Sequence, residues 1–278
     1  MNIVFIADFF MTQVLGGGEI NDEELALLLT SKGFSVVKKN SHNVSVGFIR
    51  DNKDCYFIVS NFINLGINEK KELMNCRYVI YEHDHKYLKN RNPGVYENFI
   101  APKTEVVNFD FYKNAKMILT QSAFHENIIH SNLKLRNIAN LSGNLWPLRS
   151  IDLMKKFAKS EKNNYCAIMK SGIPHKNQLE AIKYCELKKK EYRLIYSNSY
   201  TDFLSQLGRS NQFVFFPKTT ETLSRVVVEA RMMNVKVTTN ANVGATKEPW
   251  FKLKGLDLIE KVEEMRITIP EIVMRSFE

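Results

Sequence analysis

Residues 211–250 read NQFVFFPKTTETLSRVVVEARMMNVKVTTNANVGATKEPW, and this stretch decides the fold. The apolar run at residues 213–216 predicts a strand that Pro217 ends. Residues 235–239 predict a second strand. The segment between them predicts a helix beginning within residues 222–224, because its apolar residues fall at helical spacing: Leu223, Val226, Val227, Ala230 and Met233. A strand, a helix and a strand in this order predict a βαβ unit with two parallel strands. In such sheets ligands bind where strands end, here at the turn after residue 216.

Two carboxylates lie in this unit, Glu221 just before the helix and Glu229 within it. One interpretation is that Glu221 is a helix-start carboxylate favoured by the dipole and that Glu229 is solvated. However, Glu229 follows three valines and precedes Ala230, which indicates a partly buried face of the helix. A buried carboxylate needs a hydrogen-bond partner, and a sugar hydroxyl is one candidate.

The segment PKTTETLSRVVVEARMMNVKV resembles the Glu-x7-Glu signature of retaining glycosyltransferases of the GT-B fold, the glycosyl transferases group 1 superfamily. The resemblance implies that Glu221 is a catalytic residue in contact with the transferred sugar and that Glu229 binds the ribose hydroxyls. It further implies that the backbone of Leu223, Ser224 and Arg225 binds the diphosphate. The free N–H groups and the positive dipole end of a helix favour the same role.

Three consecutive glycines, Gly16, Gly17 and Gly18, end a predicted loop at residues 9–18. A strand is predicted before it at residues 2–8 and a helix after it at residues 19–32. The run matches neither the G-x-G-x-x-G fingerprint nor a P-loop, so a flexible turn is one interpretation. The resemblance implies a second, in which this loop closes over the donor; glycine would let the backbone approach a phosphate or sugar.

A predicted strand at residues 77–81 leads into Glu82-His83-Asp84-His85. His83 and His85 could form a metal pair on one strand face, although no further ligand set is evident. A solvent-facing polar loop is another interpretation. The resemblance instead implies that His83 faces the donor sugar as a second catalytic residue.

Two lysines flank the loop KSGIPHK, which precedes a predicted helix at residues 179–185. The position of Lys176 suits the role of a cation that binds a diphosphate. The resemblance implies an arginine and a lysine about six positions apart in this loop, and Lys170 stands at the arginine position. Lysine keeps the charge but lacks the bidentate guanidinium fork.

Residues 86–103 form an irregular stretch with four basic residues and interleaved aromatics, Tyr87, Tyr96 and Phe99. Long loops within compact domains are usually functional or disordered, and the aromatics favour a functional acceptor-side loop. Further strands are predicted at residues 55–60 and 115–120, and Ser122 is predicted to cap a helix that runs to about residue 130.

The 278 residues include 44% hydrophobic and 25% charged residues, which is typical of a globular protein and not of a disordered chain. Four separated cysteines suggest neither a zinc site nor disulfides, and the N-terminus resembles a strand more than a signal peptide, so a cytoplasmic location without a transmembrane segment is expected. Of the net charge of +9, residues 1–140 carry only +1. A solvated basic face explains the remainder better than a nucleic-acid track.

Together these features predict an α/β protein of the GT-B class, with two Rossmann-like domains facing each other across a cleft. The expected domains are 1–143 on the acceptor side, 144–265 for the nucleotide-sugar, and a segment 266–278 that could cross back to the first domain. The expected activity is hexosyl or pentosyl transfer from a nucleotide-sugar, UDP-linked in preference to GDP-linked, to an acceptor hydroxyl. The resemblance alone implies retention of configuration. Lys170, Lys176, Arg225 and the helix N-terminus could stabilise the leaving diphosphate, so no cofactor or metal is expected.

The acceptor is left open by the sequence: a saccharide, a protein hydroxyl or modified DNA. A DNA glycosyltransferase acting on a hydroxymethylated base is one alternative, motivated by the basic balance and by the loop at residues 86–103. A non-catalytic nucleotide or nucleic-acid binding module is the other.

Overall fold

The chain folds into two compact units, as the computed structural model, which describes residues 2–278, shows. The N-terminal unit comprises the chain up to Leu145 together with Met265–Glu278, and the C-terminal unit comprises Trp146–Glu264. Each unit is built around its own parallel sheet.

Six strands form the sheet of the N-terminal unit: β1 (Asn2–Ala7), β2 (Ser35–Asn40), β3 (Tyr56–Val59), β4 (Arg77–Tyr81), β5 (Ile118–Thr120) and β6 (Ile138–Asn140). Five helices connect them: α1 (Gly17–Ser31), α2 (Val46–Asp51), α3 (Ile67–Leu73), α4 (Phe109–Asn114) and α5 (Ala123–Leu133). As predicted, Ser122 caps α5, its hydroxyl accepting a hydrogen bond from His125 N at 3.1 Å.

The strand order in this sheet is β2-β1-β3-β4-β5-β6, and every pair is parallel. Residues Ile3 to Ala7 of β1 are buried throughout, which is why this central strand is a continuous apolar run. The chain moves from β1 to β2 in one direction and from β3 to β4 in the other. The switch point of the sheet therefore lies between β1 and β3, and in open parallel sheets ligands bind at the carboxyl ends of the strands beside such a point.

The C-terminal unit contains four strands: β7 (Asn163–Met169), β8 (Tyr192–Ile195), β9 (Ser210–Phe215) and β10 (Lys236–Thr239). Its helices are α6 (Leu148–Lys159), α7 (Gln178–Leu187), α8 (Tyr200–Gly208), α9 (Arg225–Met232) and the first part of α10 (Gly255–Arg275). The strand order is β10-β9-β7-β8, all parallel, so the switch point lies between β7 and β9. The predicted βαβ unit is confirmed, because β9 and β10 are parallel neighbours joined by α9.

Helix α10 begins in the C-terminal unit, and its last eleven residues belong to the N-terminal unit. Within the N-terminal unit, Arg266 forms an ion pair with Glu24 at 2.6 Å. Beyond the helix, the ring of Phe277 packs edge-on against Tyr56, with 4.7 Å between centroids. Across residues 2–278, no helix combines the length and apolar character needed to span a membrane.

The predicted loop at residues 9–18 is wrong at its end, because α1 already includes Gly17 and Gly18, with Gly16 as the N-cap residue. Neither Gly16 nor Gly18 has a positive φ, so a left-handed conformation is not what these positions require. Residues 86–103 are irregular as predicted, but the stretch contains two short 3-10 turns, Pro93–Val95 and Glu97–Phe99.

Candidate functional site

Two loops of the C-terminal unit leave its sheet on either side of the switch point. One follows β7 and contains Lys170 and Lys176, and the other follows β9 and contains Glu221. Because β7 and β9 are adjacent parallel strands, both loops start at the same edge of the sheet. The sequence therefore brings the cations and the carboxylate to one place through topology.

Lys176 and Glu221 form an ion pair, with 2.7 Å between Nζ and Oε1 and both side chains partly exposed. Two further bonds join the loops: Lys218 N donates to His175 O at 2.8 Å, and Asn177 Nδ2 donates to Phe216 O at 2.9 Å. The pair is thus held by backbone as well as by charge. A cation and a carboxylate therefore lie side by side at the carboxyl ends of β7 and β9.

Glu221 is also tied to the chain that follows β10. Its N–H donates to Asn242 O at 2.8 Å, and its carbonyl accepts from Gly244 N at 2.9 Å. Leu223, a buried residue of the same loop, accepts a hydrogen bond from Ala245 N at 3.0 Å. The backbone on both sides of Thr222 is therefore fixed.

Ser224 occupies the N-cap position of α9 and has an unusual backbone conformation, with φ 74° and ψ 84°. This left-handed region is costly for a residue with a Cβ atom and is typical of functional sites. Among residues 2–278 the hydroxyl finds no hydrogen-bond partner, neither a capping N–H nor any other group, although it is buried. Arg225 is the first helical residue after it, so the positive end of the α9 dipole lies at the turn.

Glu229 is buried, as its position after three valines predicted. The hydrogen-bond partners of its carboxylate are side chains of the protein. Its Oε1 accepts hydrogen bonds from Trp146 Nε1 at 2.9 Å and from Tyr200 OH at 2.6 Å. Arg225 Nε lies 3.8 Å from the same oxygen, and its guanidinium lies over the Trp146 ring at 4.5 Å. Burial, together with the neighbouring Glu229 carboxylate, raises the pKa of Tyr200. The proposed ribose-binding carboxylate is thus held firmly by three side chains.

Lys170 directly follows β7, and its N–H donates to Ile195 O at 2.9 Å. Its side chain is exposed at the carboxyl edge of the sheet. Lys176 and Glu221 are brought into contact, as are Arg225 and Glu229, whereas Lys170 remains at the edge with its side chain in solvent.

His83 belongs to the N-terminal unit and is held by two neighbours. Its Nε2 lies 2.6 Å from Asp22 Oδ1, and its Nδ1 contacts the side-chain amide of Gln121. Asp22 is fully buried and accepts a second hydrogen bond from Ser60 Oγ at 2.7 Å. Because both ring nitrogens are engaged, a ligand would meet His83 through its backbone or a ring carbon in this conformation.

The glycine run lies beside this histidine. A Cβ atom at Gly18 would be 3.5 Å from His83 Cδ2, an ordinary contact distance. At Gly16 a Cβ atom would come within 2.2 Å of Glu19 Oε2, because that carboxylate folds back over the N-cap position. Burial raises the pKa of Glu19, and Asp22 and Asp8 raise it further. The N-terminal unit thus brings Gly18 and His83 together.

His85 has a different environment from His83. It is buried, its Nδ1 lies 3.2 Å from Tyr87 OH, and its ring packs edge-on against His125. Burial lowers its pKa to about 3. Within residues 2–278, no group of three or more His, Cys, Asp or Glu side chains is arranged to hold a metal ion.

The basic residues at 86–103 are largely paired within the N-terminal unit. Lys86 is buried against Glu82, Lys89 lies 3.7 Å from Glu105, and Arg91 lies 3.2 Å from Asp84. The aromatics are also engaged: Tyr87 is buried, and Phe99 packs against Phe124. Neighbouring carboxylates therefore largely balance the charge of this stretch, while the side chains of Lys89 and Arg91 stay 55% and 51% exposed.

Sequence reasoning missed the residues that hold the candidate side chains: Asp22, Gln121, Trp146 and Tyr200. Asp22 and His83 are 61 positions apart, and Trp146 and Glu229 are 83 apart. One available signal was the polar run NDEE at residues 21–24, on a helix whose apolar residues mark a buried face. The other was Trp146, one of only two tryptophans in the chain.

Solved structures similar to this chain include two glycosyltransferases and a protein in complex with UDP and glucose. An α-glucosyltransferase in complex with UDP and a 13-mer DNA containing an HMU base matches 100% of this chain and 95% of its own, at 13% identity and a TM-score of 0.52. HepE from Anabaena, in complex with UDP and glucose, matches 97% of this chain and 90% of its own, at 14% identity and a TM-score of 0.56. AviGT4, a glycosyltransferase involved in avilamycin A biosynthesis, matches 99% and 96%, at 10% identity and a TM-score of 0.56.

No family model and no curated protein matches the sequence. At 10–14% identity the structural similarity establishes the fold and leaves the residue roles untested. The predicted α/β fold with parallel sheets is confirmed, and solved structures with this fold hold UDP or UDP-glucose.

Proposed function

We propose that the protein is a glycosyltransferase that moves a sugar from a UDP-sugar to an acceptor hydroxyl. The observation that carries the proposal is the Lys176–Glu221 pair beside the N-terminus of α9. A diphosphate-linked sugar carries negative charges and hydroxyl groups. The lysine of this pair can bind the charges, and the carboxylate can accept hydrogen bonds from the hydroxyls. The UDP complexes of proteins with the same fold support the nucleotide.

In the proposed roles, Glu221 binds the hydroxyls of the transferred sugar and Lys176 binds the diphosphate, with the α9 N-terminus adding its dipole. When the bond to the sugar breaks, negative charge grows on the diphosphate, and groups already in place stabilise it. Lys170 and Arg225 add positive charge on the same side of the sheet. Glu229 positions the ribose and takes no part in bond breaking.

Four finer features belong to the same proposal. Transfer retains the anomeric configuration, as the Glu-x7-Glu resemblance implies. It proceeds without a metal because lysine, arginine and helix dipole supply the positive charge. The N-terminal unit binds the acceptor, with Gly16, Gly17, Gly18 and His83 towards the donor. That the two domains face each other across a cleft stays a prediction of the resemblance.

The direct test is Glu221→Gln, which keeps the size of the side chain and removes its charge. We expect transfer from UDP-glucose or another UDP-sugar to fall at least about 100-fold, because a group aimed at the reacting sugar is lost. UDP release with and without acceptor, followed in EDTA, measures the effect and the absence of a metal requirement.

Glu191→Gln is the matched control, since Glu191 is exposed in the same unit and pairs only with Arg193 at 3.5 Å among the ion pairs of residues 2–278. This variant should turn over like the parent. Equal activity of the Glu221 variant would remove that residue from the site. Tight UDP binding without any turnover in the parent would favour the non-catalytic nucleotide-binding module.

A DNA acceptor is the second candidate, favoured by one observation: a protein of this fold was solved with DNA that contains an HMU base. Against it, the charges at residues 86–103 are largely paired with neighbouring carboxylates. Phosphate contacts make DNA binding strongly salt-dependent. Hydroxymethylated duplex that binds no more weakly at 200 mM than at 50 mM salt would exclude this candidate.

A further inference from the structure

Exposed apolar side chains lie on the two loops that flank the switch point of the N-terminal sheet. Phe9, Val14 and Leu15 lie in the loop after β1, and Ile63 lies in the loop after β3; they are exposed by 43, 42, 53 and 50%. We call these four residues the apolar rim. Single exposed apolar residues are ordinary on any surface, but a group of them at a ligand-binding edge is not.

The rim is held in place by hydrogen bonds. The buried carboxylate of Asp8 accepts from Ile63 N and Asn64 N, both at 3.0 Å, which fixes the second loop beside Phe9. Phe10 O accepts from Gln13 N at 2.8 Å and from Val14 N at 3.1 Å, so the first loop folds into a turn. Apolar side chains on such a fixed backbone lose little entropy when a ligand covers them.

A reciprocal pair of amides fastens this turn to β2. Gln13 Nε2 donates to Asn40 Oδ1 at 3.2 Å, and Asn40 Nδ2 donates to Gln13 Oε1 at 2.8 Å. Asn40 Nδ2 also reaches Asp8 O at 3.0 Å. The rim is therefore part of the folded edge of the sheet, and it leads directly into Gly16 and α1.

The charged side chains within the two rim loops have one sign, and the lysine of β2 that lies over the Phe10 ring at 5.6 Å, Lys38, is paired with Glu23 at 2.9 Å. The two loops, residues 8–19 and 60–66, contain the carboxylates of Asp8 and Glu19 and no lysine or arginine. Lys70, at the next helix, is partly buried, lies over the Phe62 ring and donates to Asn108 Oδ1 at 3.2 Å. A polyanion gains no favourable contact from such a surface, whereas an uncharged apolar group does.

From this placement we infer that the acceptor is an alcohol with an uncharged apolar group, which the apolar rim binds while the hydroxyl points towards Gly18 and His83. The inference rests on the proposed transferase function and names the acceptor class for it. Of the possible acceptors, an amphiphilic small molecule is therefore favoured over DNA. Each buried CH₂ group strengthens binding about fourfold, so even two of them would favour such an acceptor about sixteenfold.

The test compares n-octyl β-glucoside with methyl β-glucoside, which differ only in alkyl length, at concentrations below micelle formation. Equilibrium binding to the full chain is measured first without donor, and transfer from UDP-glucose is measured second. We expect the octyl compound to bind at least about tenfold more tightly, because its chain covers the rim. Hydroxymethylated duplex DNA in the same transfer assay should be the poorer acceptor.

Leu15→Gln and Ile63→Gln should each reduce the octyl preference severalfold and leave methyl glucoside binding unchanged. Leu27→Gln is the matched control, because Leu27 is exposed by 54%, as Leu15 is by 53%, but lies within α1. Equal binding of the two glucosides, an equal loss in the Leu27 variant, or preferred transfer to DNA would overturn the inference.

The donor-free measurement separates this inference from the proposed function. If the chain binds no UDP and no UDP-sugar, the transferase proposal fails, while the octyl preference and its loss on Leu15→Gln still decide whether the rim binds apolar groups. If UDP-glucose is hydrolysed but the octyl preference is absent, the transferase proposal stands and the acceptor class is wrong.

Discussion

Glu229 illustrates how one side chain can combine a structural and a proposed functional role. Its carboxylate accepts from Trp146 and Tyr200 and faces Arg225, all within the C-terminal unit. A buried carboxylate with such partners is stable only while they remain, and the partners in turn depend on it. A ligand hydroxyl that used Glu229 would therefore meet an oriented group and not a mobile one.

Glu229→Ala should lower the free energy of unfolding of the C-terminal unit by about 2–4 kcal/mol, because two buried donors lose their acceptor. Tyr200→Phe should cost only about 1 kcal/mol, since the Glu229 carboxylate keeps the hydrogen bond from Trp146. Both tryptophans lie in this unit, so tryptophan fluorescence during urea unfolding measures the effect.

Tyr196→Phe is the matched control, because Tyr196 is exposed and its hydroxyl donates to Asn198. A loss of stability as large as that of Tyr200→Phe would contradict the argument.

His85 gives the N-terminal unit a defined response to acid. Its folded pKa of about 3 lies below its ordinary value of 6.5, because burial disfavours the imidazolium. The unfolded chain therefore takes up a proton near pH 6.5 while the folded unit does not, and stability falls as the pH drops from about 6.5 towards 3. The pKa of the buried His125 is lowered in the same direction.

Between pH 6 and pH 5 the wild type should lose about 1 kcal/mol through His85 alone, since one proton per pH unit corresponds to about 1.4 kcal/mol. His85→Gln should lose about that much less over the same interval, whatever its stability at pH 6. Urea unfolding followed by circular dichroism at the two pH values provides the comparison. His130→Gln, at an exposed position of α5, should keep the wild-type difference; an unchanged difference in the His85 variant would refute the assignment.

At the scale of elements, α9 begins at a residue under backbone strain. Ser224 has φ 74° and contributes no capping bond, whereas Ser199, at the start of α8, has φ −95° and caps Asp202 N at 3.3 Å. Glycine adopts the left-handed region without cost. The two serines therefore respond to the same substitution with opposite signs.

Ser224→Gly should stabilise the C-terminal unit by about 0.5–1 kcal/mol, because the strain of the Cβ atom disappears. Ser199→Gly should destabilise it by a few tenths of a kcal/mol, because a cap is lost. Thermal unfolding followed by tryptophan fluorescence gives both values. A destabilised Ser224 variant would mean that the buried hydroxyl, and not the backbone, determines this position.

The elements also show which parts of the fold the sequence can predict. The β9–α9–β10 unit and the Ser122 cap were predicted because apolar periodicity and capping residues are local signals. The helical state of Gly17 and Gly18 was not, because glycine has low helix propensity and only the following helix and the Gly16 cap position place them there. Local rules failed where packing determined the conformation.

At the scale of the molecule, the candidate site could be predicted as a set of residues but not as an arrangement. Strand order brought Lys176 to Glu221, and the sequence spacing of 45 residues gives no hint of an ion pair. Asp22, the partner of His83, and Tyr200, a partner of Glu229, are distant in sequence from the residues they hold, so they could not be found without the fold. Charge was also misleading, since the basic residues at 86–103 are mostly paired with neighbouring carboxylates.

Helix α10 has a consequence for the order in which the chain can fold during synthesis. The C-terminal unit is one contiguous segment, Trp146–Glu264, whereas the N-terminal unit also needs Met265–Glu278. Domains generally fold as they leave the ribosome, with the earlier part first. In this chain the N-terminal unit cannot be completed first. When the strands up to β6 have emerged, Arg266 is not yet present to pair with Glu24, and Phe277 is not yet present to pack against Tyr56. The unit that is translated first is thus the last to be completed.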